Sequence, residues 1–368
     1  MRSSCKYCNT RERCTQSNLQ ILPATAELGE LLANVLREHK IAFEWELSLF
    51  SIRRPQSHAQ VIGLLREVLT ETQRQGLRVL SGSTGQFSAV HLLDDWWRKF
   101  ENSWFGHALQ EDQFVTWFQP IVEVSEFLDE FPERIFAHEC LIRLCDGRIY
   151  NGTEIVEAAC AHNEMRAFDT CARRLAIRSA ARQSPAGLYF INLMPSAIYN
   201  PSLCMQSSIE AMEEADMGPG NIVFEIVEAD LDRNPAHLKQ ICDYCRKQGF
   251  GFALDDVGST GSNSLEMVRD LRPDYIKLDK SLIQNLQHLV YMPAIIRELV
   301  DLSGQLGVTV IAEGIERRRT VERLMDLGVR HMQGYLFGRP APRILQTGSV
   351  QAGAIQDASV TRSQLLPT

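Results

Sequence analysis

Long apolar runs are missing from this sequence. Nowhere in its 368 residues do eighteen or so consecutive hydrophobic side chains occur, so no helix is expected to span a bilayer. The opening residues, MRSSCKYCNTRERC, lack the apolar core of a secretory signal, which makes a cytoplasmic location the default expectation. An excess of positive charge is missing too: 38 Lys and Arg face 46 Asp and Glu, a formal net charge of −8. That balance argues against general attraction to nucleic-acid backbones, and no specific DNA binding is expected. No G-x-G-x-x-G phosphate fingerprint heads a strand, which weighs against a dinucleotide-binding, doubly wound sheet.

What is present is ordinary in bulk and unusual in detail. A hydrophobic content of 45% suits a chain with a sizeable core. Ten cysteines without an export signal read as free thiols rather than a disulfide framework. Cys242 and Cys245 form a C-x-x-C within QICDYCRKQ, an amphipathic helical pattern in which packing is a simpler reading than a redox pair. Cys5, Cys8 and Cys14 lie in a polar, basic segment with no core to join. Their spacing offers three soft ligands for zinc or an iron–sulfur cluster, with a fourth needed from elsewhere; a disordered tail is the alternative.

The chain divides by pattern into four parts. Residues 1–20 form the cysteine-containing segment. Residues 21–110 read as a small α/β or mostly helical module for regulation, sensing or partner binding. AELGELLANVLREH and HAQVIGLLREVLTETQRQG have helical periodicity, and AFEWELSLFSI and LRVLSG resemble strands. SAVHLLDDWWRKFENSWFGHAL predicts one long amphipathic helix. Its Trp96, Trp97 and Trp104 suit packing on the outside of the larger domain or contact with a protein partner. From residue 111 to about 345, apolar strands alternate with amphipathic helices in repeated βα units, the signature of a (β/α)₈ TIM-like barrel. The polar tail 346–368 is expected to be disordered.

Within the third part, strand after strand ends in a polar residue. These are Glu139 in FAHECL, Asn192 in YFINL, Glu225 in IVFEI, Asp255 and Asp256 in FALDD, Lys277 in YIKLD, Glu313 in VIAEG and Gln333 in HMQGY. Taken alone, the adjacent aspartates fit a solvated strand end as well as a cation site. In a barrel, however, the whole series converges on the C-terminal mouth, where barrel active sites lie. Five carboxylates in one cavity raise one another's pKa unless cations join them, and oxygen donors suit hard ions such as Mg²⁺ or Mn²⁺. Two such ions, with Lys277 and Glu313 beside an attacking water, describe metal-dependent phosphoester hydrolysis.

Residues from about 114 to 343 resemble the EAL-domain family, the bacterial cyclic di-GMP phosphodiesterases. The resemblance rests on FQPIV, Glu139-Cys140-Leu141 in place of Glu-Ala-Leu, FINLMPS, FEIVE, LDDVGS, DYIKLDKSLI, VIAEGIE and QGYLFGRPAP, in that order. It implies a barrel with one antiparallel strand, and hydrolysis of cyclic di-GMP to linear pGpG with two Mg²⁺ or Mn²⁺ ions. By the same resemblance, Glu139, Asn192, Glu225 and Asp255 ligate the first metal, and Asp255, Asp256 and Glu313 the second. Lys277 and Glu313 serve the water, with Gln333 nearby, while Gln119, Leu141 and Arg143 contact the nucleotide. Glu228 steadies the loop after the aspartates, and Glu316 is a supporting carboxylate. A homodimer through the barrel is implied as well.

Two departures stand out. Cys140 replaces the alanine of the name motif, small for small. The loop DDVGSTGSNSL is one residue longer than the family's D-D-F-G-T-G-Y-S-S-L and lacks both aromatics. The complete ligand set favours an enzyme controlled by its N-terminal region. The altered loop leaves open a receptor that binds the nucleotide and signals through a partner.

Overall fold

The computed structural model describes residues 19–52, 58–81, 89–124, 134–227, 234–258, 264–286 and 289–345. Cys5, Cys8, Cys14, Glu228 and the tail from residue 346 lie outside these residues, as does the middle of the lengthened loop. Two compact units emerge. One runs to Gln113 and includes Thr153–Glu164; the other comprises Phe114–Gly152 and the chain from Met165 onward.

The first unit is built on five antiparallel strands: β1 (Leu19–Pro23), β2 (Glu44–Glu46), β3 (Leu49–Ile52), β4 (Leu77–Ser81) and β5 (Ala89–Leu92), in the order β2-β3-β1-β4-β5. Alternation along β1 buries Leu19 and Ile21, which join Leu32 and Leu36 of helix Ala26–Glu38 in one core. The sequence 88–110 corrects the expectation of one long helix. Ala89–Leu92 pair with β4, Val90 opposite Leu80, and the helical remainder is Leu93–Glu101 followed by Trp104–Gln110. The break has a local cause: the Asn102 side-chain amide donates to the Arg98 carbonyl at 2.9 Å and terminates the first helix. Trp96 is buried in this unit's own core and stacks on Phe100 at 5.5 Å, while Trp97 lies under the Arg66 guanidinium. AFEWELSLFSI likewise resolves into a hairpin, β2 and β3, turning through Leu47 and Ser48 with positive φ.

The second unit is a closed eight-stranded barrel surrounded by helices. Its strands are β6 (Phe114–Glu123), β7 (Arg134–Asp146), β9 (Tyr189–Asn192), β10 (Ile222–Val227), β11 (Gly251–Val257), β12 (Tyr275–Leu278), β13 (Thr309–Ala312) and β14 (His331–Gln333), with the short β8 (Arg148–Tyr150) hairpinned onto β7. The pairing of β6 with both β14 and β7 closes the ring, and β6 is the strand antiparallel to its neighbours.

The barrel's interior follows from strand parity. Ile121, Ala137, Phe190, Val223, Ala253 and Ile311 form one apolar inner layer, against which Tyr275 packs. Their sequence neighbours, among them Phe224, Phe252, Leu254, Ile276 and Val310, belong to a larger core shared with helical residues such as Leu238, Ile241, Ile296 and Leu299. Because side chains alternate with period two, the next inward residues lie one step along each strand toward the mouth. On β7, β9, β10, β11 and β12 these are Glu139, Asn192, Glu225, Asp255 and Lys277, and Glu313 follows directly after β13. On the antiparallel β6 the step runs backward, from Ile121 to Gln119. An apolar floor therefore carries a polar ring.

Candidate active site

Lys277 occupies the centre of that ring. Its Nζ lies 2.6 Å from Glu313 Oε1, 2.9 Å from Glu225 Oε1, and 3.3 Å from both Glu139 Oε2 and Asp255 Oδ1. Lys277 is 1% exposed and Glu225 is fully buried, so these charges have exchanged water for one another. Burial alone would lower the Lys277 pKa; the charges of Asp255, Glu139, Glu225 and Glu313 override it and hold the ammonium protonated.

One ammonium does not balance so many carboxylates. Burial, with the Asp255 and Glu139 charges adding to it, pushes Glu313 up to about 8 despite the opposing Lys277. Burial and the neighbouring Asp255 and Asp279 carboxylates push Asp256 up to about 6. Glu225 is also raised, by burial first and then by Glu139 and Asp255. The ring holds an excess of negative charge that one lysine only partly relieves.

The supporting contacts orient Glu139. Gln333 Nε2 donates to Glu139 Oε2 at 2.6 Å, and Asn192 Nδ2 to Oε1 at 3.5 Å. Gln119 faces Glu139 across the β6–β7 ladder, and its amide donates to the Gly338 carbonyl at 3.3 Å. Leu141 and Arg143 continue the same face of β7, with the Arg143 guanidinium 5.8 Å from the Trp117 ring centroid.

Asp255 and Asp256 are sequence neighbours, yet both reach the site. The β11–β12 register shifts between Leu254 and Val257, and Asp256 has φ +56°, the left-handed region that aspartate tolerates better than most residues. The Asp256 amide donates to Asp255 Oδ1 at 2.9 Å and fixes the turn. Oxygens of Asp255, Asp256 and Glu313 all lie within 4.8 Å of one another.

This donor set fits divalent cations of the hard class. Every donor is a carboxylate or amide oxygen. Beyond the Lys277 ammonium at 2.9 Å from Oε1, neither Glu225 oxygen has a hydrogen-bond partner among the described residues. Gln333 Oε1 is buried and equally uncommitted.

A cavity of about 320 Å³ opens onto the ring, lined by Gln119, Glu139, Asp255, Lys277, Glu313 and Gln333. Glu316 lines it as well. Leu141 and Arg143 are absent from its described lining. Residues that the sequence pattern did not single out complete it: Lys280, Gln284, Gly314, Gly334 and Tyr335. Asp279, which caps helix Lys280–Asn285 through Ser281 N at 2.8 Å, also escaped notice although its charge acts on Asp256. Lys280 and Asp279 directly follow the Lys277 strand, a signal available in DYIKLDK but indistinguishable there from an ordinary helix start. Two glycines let loops approach this closely. A Cβ on Gly314 (φ +67°) would fall 2.7 Å from Lys280 Cβ, and one on Gly334 would fall 2.1 Å from the Ile315 carbonyl oxygen.

Comparison with known protein families matches residues 103–340 to the EAL domain. This chain belongs to the EAL domain family. Among curated relatives of this EAL chain, cyclic di-GMP phosphodiesterase PdeB of Shewanella oneidensis is 27% identical over 69% of the chain and 30% of its own length. Cyclic di-GMP phosphodiesterase RocR of Pseudomonas aeruginosa is 34% identical over 43% of the chain and 40% of its own length. The chain thus aligns with well under half of each. A solved cyclic di-GMP-bound standalone EAL protein from Vibrio cholerae superposes with a TM-score of 0.55 at 29% identity, covering 63% of this chain and 94% of that one. EAL domain enzymes use divalent metals, in keeping with the oxygen-rich ring. Among the described residues, no helix is long and apolar enough to cross a membrane.

Proposed function

We propose that the barrel hydrolyses one phosphodiester bond of cyclic di-GMP to give linear pGpG, with Mg²⁺ or Mn²⁺ bound at its mouth. The observation carrying this reading is the convergence of Glu139, Glu225, Asp255 and Glu313 on Lys277 within 3.3 Å, in the inner layer of an EAL barrel. Glu139, Asn192, Glu225 and Asp255 would hold one ion, and Asp255, Asp256 and Glu313 the other. Bound there, the ions lower the pKa of water and screen charge on the phosphoryl group.

The chain's own groups do the rest. Glu313 lines the cavity and takes the proton of the attacking water, while Lys277, 2.6 Å from its carboxylate, keeps it aimed and offsets charge developing on phosphorus. The water oxygen bonds to phosphorus, the bond to the ribose 3′ oxygen breaks, and that oxygen recovers a proton. Gln333 holds Glu139 in its ligating orientation. Gln119 meets a guanine edge, Leu141 packs beside it, and the Arg143 fork receives a phosphate. Glu228 and Glu316 support the surrounding loops.

The module of residues 21–110 is assigned control of this activity or docking of a protein partner, in a cytoplasmic homodimer joined through the barrel. The cysteine segment 1–20 is a candidate zinc or iron–sulfur sensor, tested by metal analysis of the protein and its Cys5→Ser variant. The deciding experiment follows pGpG formation from cyclic di-GMP by chromatography, with Mn²⁺ or Mg²⁺ and then with a chelator. Turnover that the chelator abolishes and Glu139→Ala removes supports the two-metal enzyme. Tight binding without turnover would favour the receptor reading, for which the lengthened loop after Asp256 is the motivating feature.

A further inference from the structure

A buried ion pair stands behind the polar ring, on a helix that supplies no member of it. Helix Met165–Gln183 turns Asp169 and Arg173 onto its inner face, where their side chains are 2% and 0% exposed and meet at 2.9 Å. Withdrawing both charges from water is costly, and such a pair holds a fold together no better than apolar side chains of the same size. Burial raises the Asp169 carboxyl above its usual value despite the opposing Arg173 charge. What the pair does contribute is a set of fixed contacts. Asp169 Oδ2 accepts from Arg173 Nε at 2.9 Å, and Oδ1 accepts from the Met194 amide at 3.0 Å. Arg173 also donates to the Cys204 carbonyl at 3.2 Å and to the Ser208 hydroxyl.

Met194 lies two residues past Asn192, the last residue of β9. Among the described residues the Asn192 side chain makes one hydrogen bond, to Glu139 Oε1 at 3.5 Å, too long to aim an amide firmly. Its direction is set instead by the backbone, pinned from two sides just beyond the strand. Leu193 N donates to the Glu225 carbonyl at 2.9 Å, and Met194 N to Asp169. Resting on the proposed ligation of a cation by Asn192, we propose that Asp169, backed by Arg173, is a positioning residue that fixes the chain leaving β9 so that the Asn192 amide oxygen faces the acidic ring. Arg173 extends this hold to the helices that follow, Pro201–Cys204 and Gln206–Glu214. Neither residue is among those described as lining the cavity.

Mn²⁺ binding to the full chain is measured without substrate, from loss of the free-ion electron paramagnetic resonance signal, beside the thermal midpoint. Asp169→Leu/Arg173→Met replaces the pair by apolar side chains and leaves Met194 N without its acceptor. Its midpoint is expected within about 5 °C of the unaltered protein, while the Kd for Mn²⁺ rises about 10-fold. Asp169→Asn reverses the pattern. Its amide oxygen still accepts from Met194 N, so Kd stays within about threefold, but the uncompensated Arg173 lowers the midpoint. A role confined to stability would make affinity follow the midpoint in both. Asn192→Ala completes a cycle: with that amide gone, adding Asp169→Leu/Arg173→Met raises Kd by no more than about twofold.

An unchanged Kd in Asp169→Leu/Arg173→Met, where Asn192→Ala does weaken binding, overturns the positioning role and leaves the cation site intact. Full additivity of the two losses does the same. No Mn²⁺ binding by the unaltered protein, or undiminished binding in Asn192→Ala, overturns the ligand assignment itself, and the positioning role with it. Should Asp169→Leu/Arg173→Met fail to fold, Asp169→Glu decides. It keeps a charge opposite Arg173 but lengthens the arm to Met194, and a Kd equal to that of the unaltered protein counts against the proposal.

Discussion

An ammonium group survives full burial only where opposite charge surrounds it, and Lys277 has four carboxylates at 3.3 Å or less. Around that centre, single hydrogen bonds set which oxygens face the cavity. Gln333 is the clearest case, because its amide reaches from β14 past β6 to Glu139 on β7. Gln333→Ala is expected to raise the Mn²⁺ concentration for half-maximal turnover by about 10- to 100-fold, the usual cost of losing a partner that orients a metal ligand. A titration of rate against Mn²⁺ that is unmoved would remove Gln333 from this role. A different pair of residues shows what burial does without function. Cys242 and Cys245 sit on the inner face of helix Pro235–Lys247, fully buried, and desolvation pushes both thiols up to about 12. At pH 8 they should resist alkylation in the native protein while exposed Cys160 reacts, as peptide mapping after iodoacetamide would reveal. The sign for stability follows. Thiols raised above their unfolded value favour the fold below about pH 8.5. That contribution is lost as pH climbs toward 12, so the thermal midpoint falls over this range, and less steeply in a Cys242→Ala/Cys245→Ala double variant.

At the level of elements, the strands of the barrel were legible because each couples an apolar run to one polar residue at fixed parity. Glu139, Asn192, Glu225, Asp255 and Lys277 could be named before their geometry was known. The N-terminal region resisted the same treatment. Val90-His91-Leu92 reads as the first turn of a helix until the preceding strand β4 offers it a ladder, and the pattern within the segment itself carries no word of that partner. Tyr335 and Lys280 escaped for a related reason: an exposed aromatic after glycine and a lysine opening a helix are commonplace, and only the closed ring brings them to one cavity. Loop packing makes its own prediction. Gly334→Ala must drive a Cβ into the Ile315 backbone, at 2.1–2.2 Å from its O and N. The expected result is a loss of roughly 2–4 kcal/mol in urea unfolding, with turnover falling as Gln333 and Glu313 move apart. A variant of unaltered stability would mean that this loop yields easily.

For the molecule as a whole, the acidic ring is a source of tension until cations enter it. The raised Glu313, Asp256 and Glu225 groups record how unwelcome their charges are, first through burial and then through neighbouring carboxylates such as Asp255. Divalent ions that bind only the folded barrel should therefore stabilise it by mass action, by about 2.7 kcal/mol at a hundredfold excess over Kd. For a domain of this size that corresponds to a rise of about 5–10 °C in the barrel's thermal midpoint. The shift should appear with Mn²⁺, vanish with a chelator, and shrink in Asp255→Asn. A midpoint indifferent to Mn²⁺ would contradict the cation site, whatever the activity.

The alternation that puts an apolar floor beneath a polar ring also imposes a reading frame on the chain. One residue inserted within Ile222–Val227 ahead of Glu225 would turn its carboxylate into the helix-packed layer and present an apolar side chain to the mouth. The barrel strands are thus locked in phase, as codons are, and length can drift only where phase no longer matters. The stretch after Asp256 is such a place, since the helix Ser264–Leu271 resets the frame before β12 begins. It is there, past the last inward-facing carboxylate of its strand, that DDVGSTGSNSL exceeds the D-D-F-G-T-G-Y-S-S-L pattern by one residue.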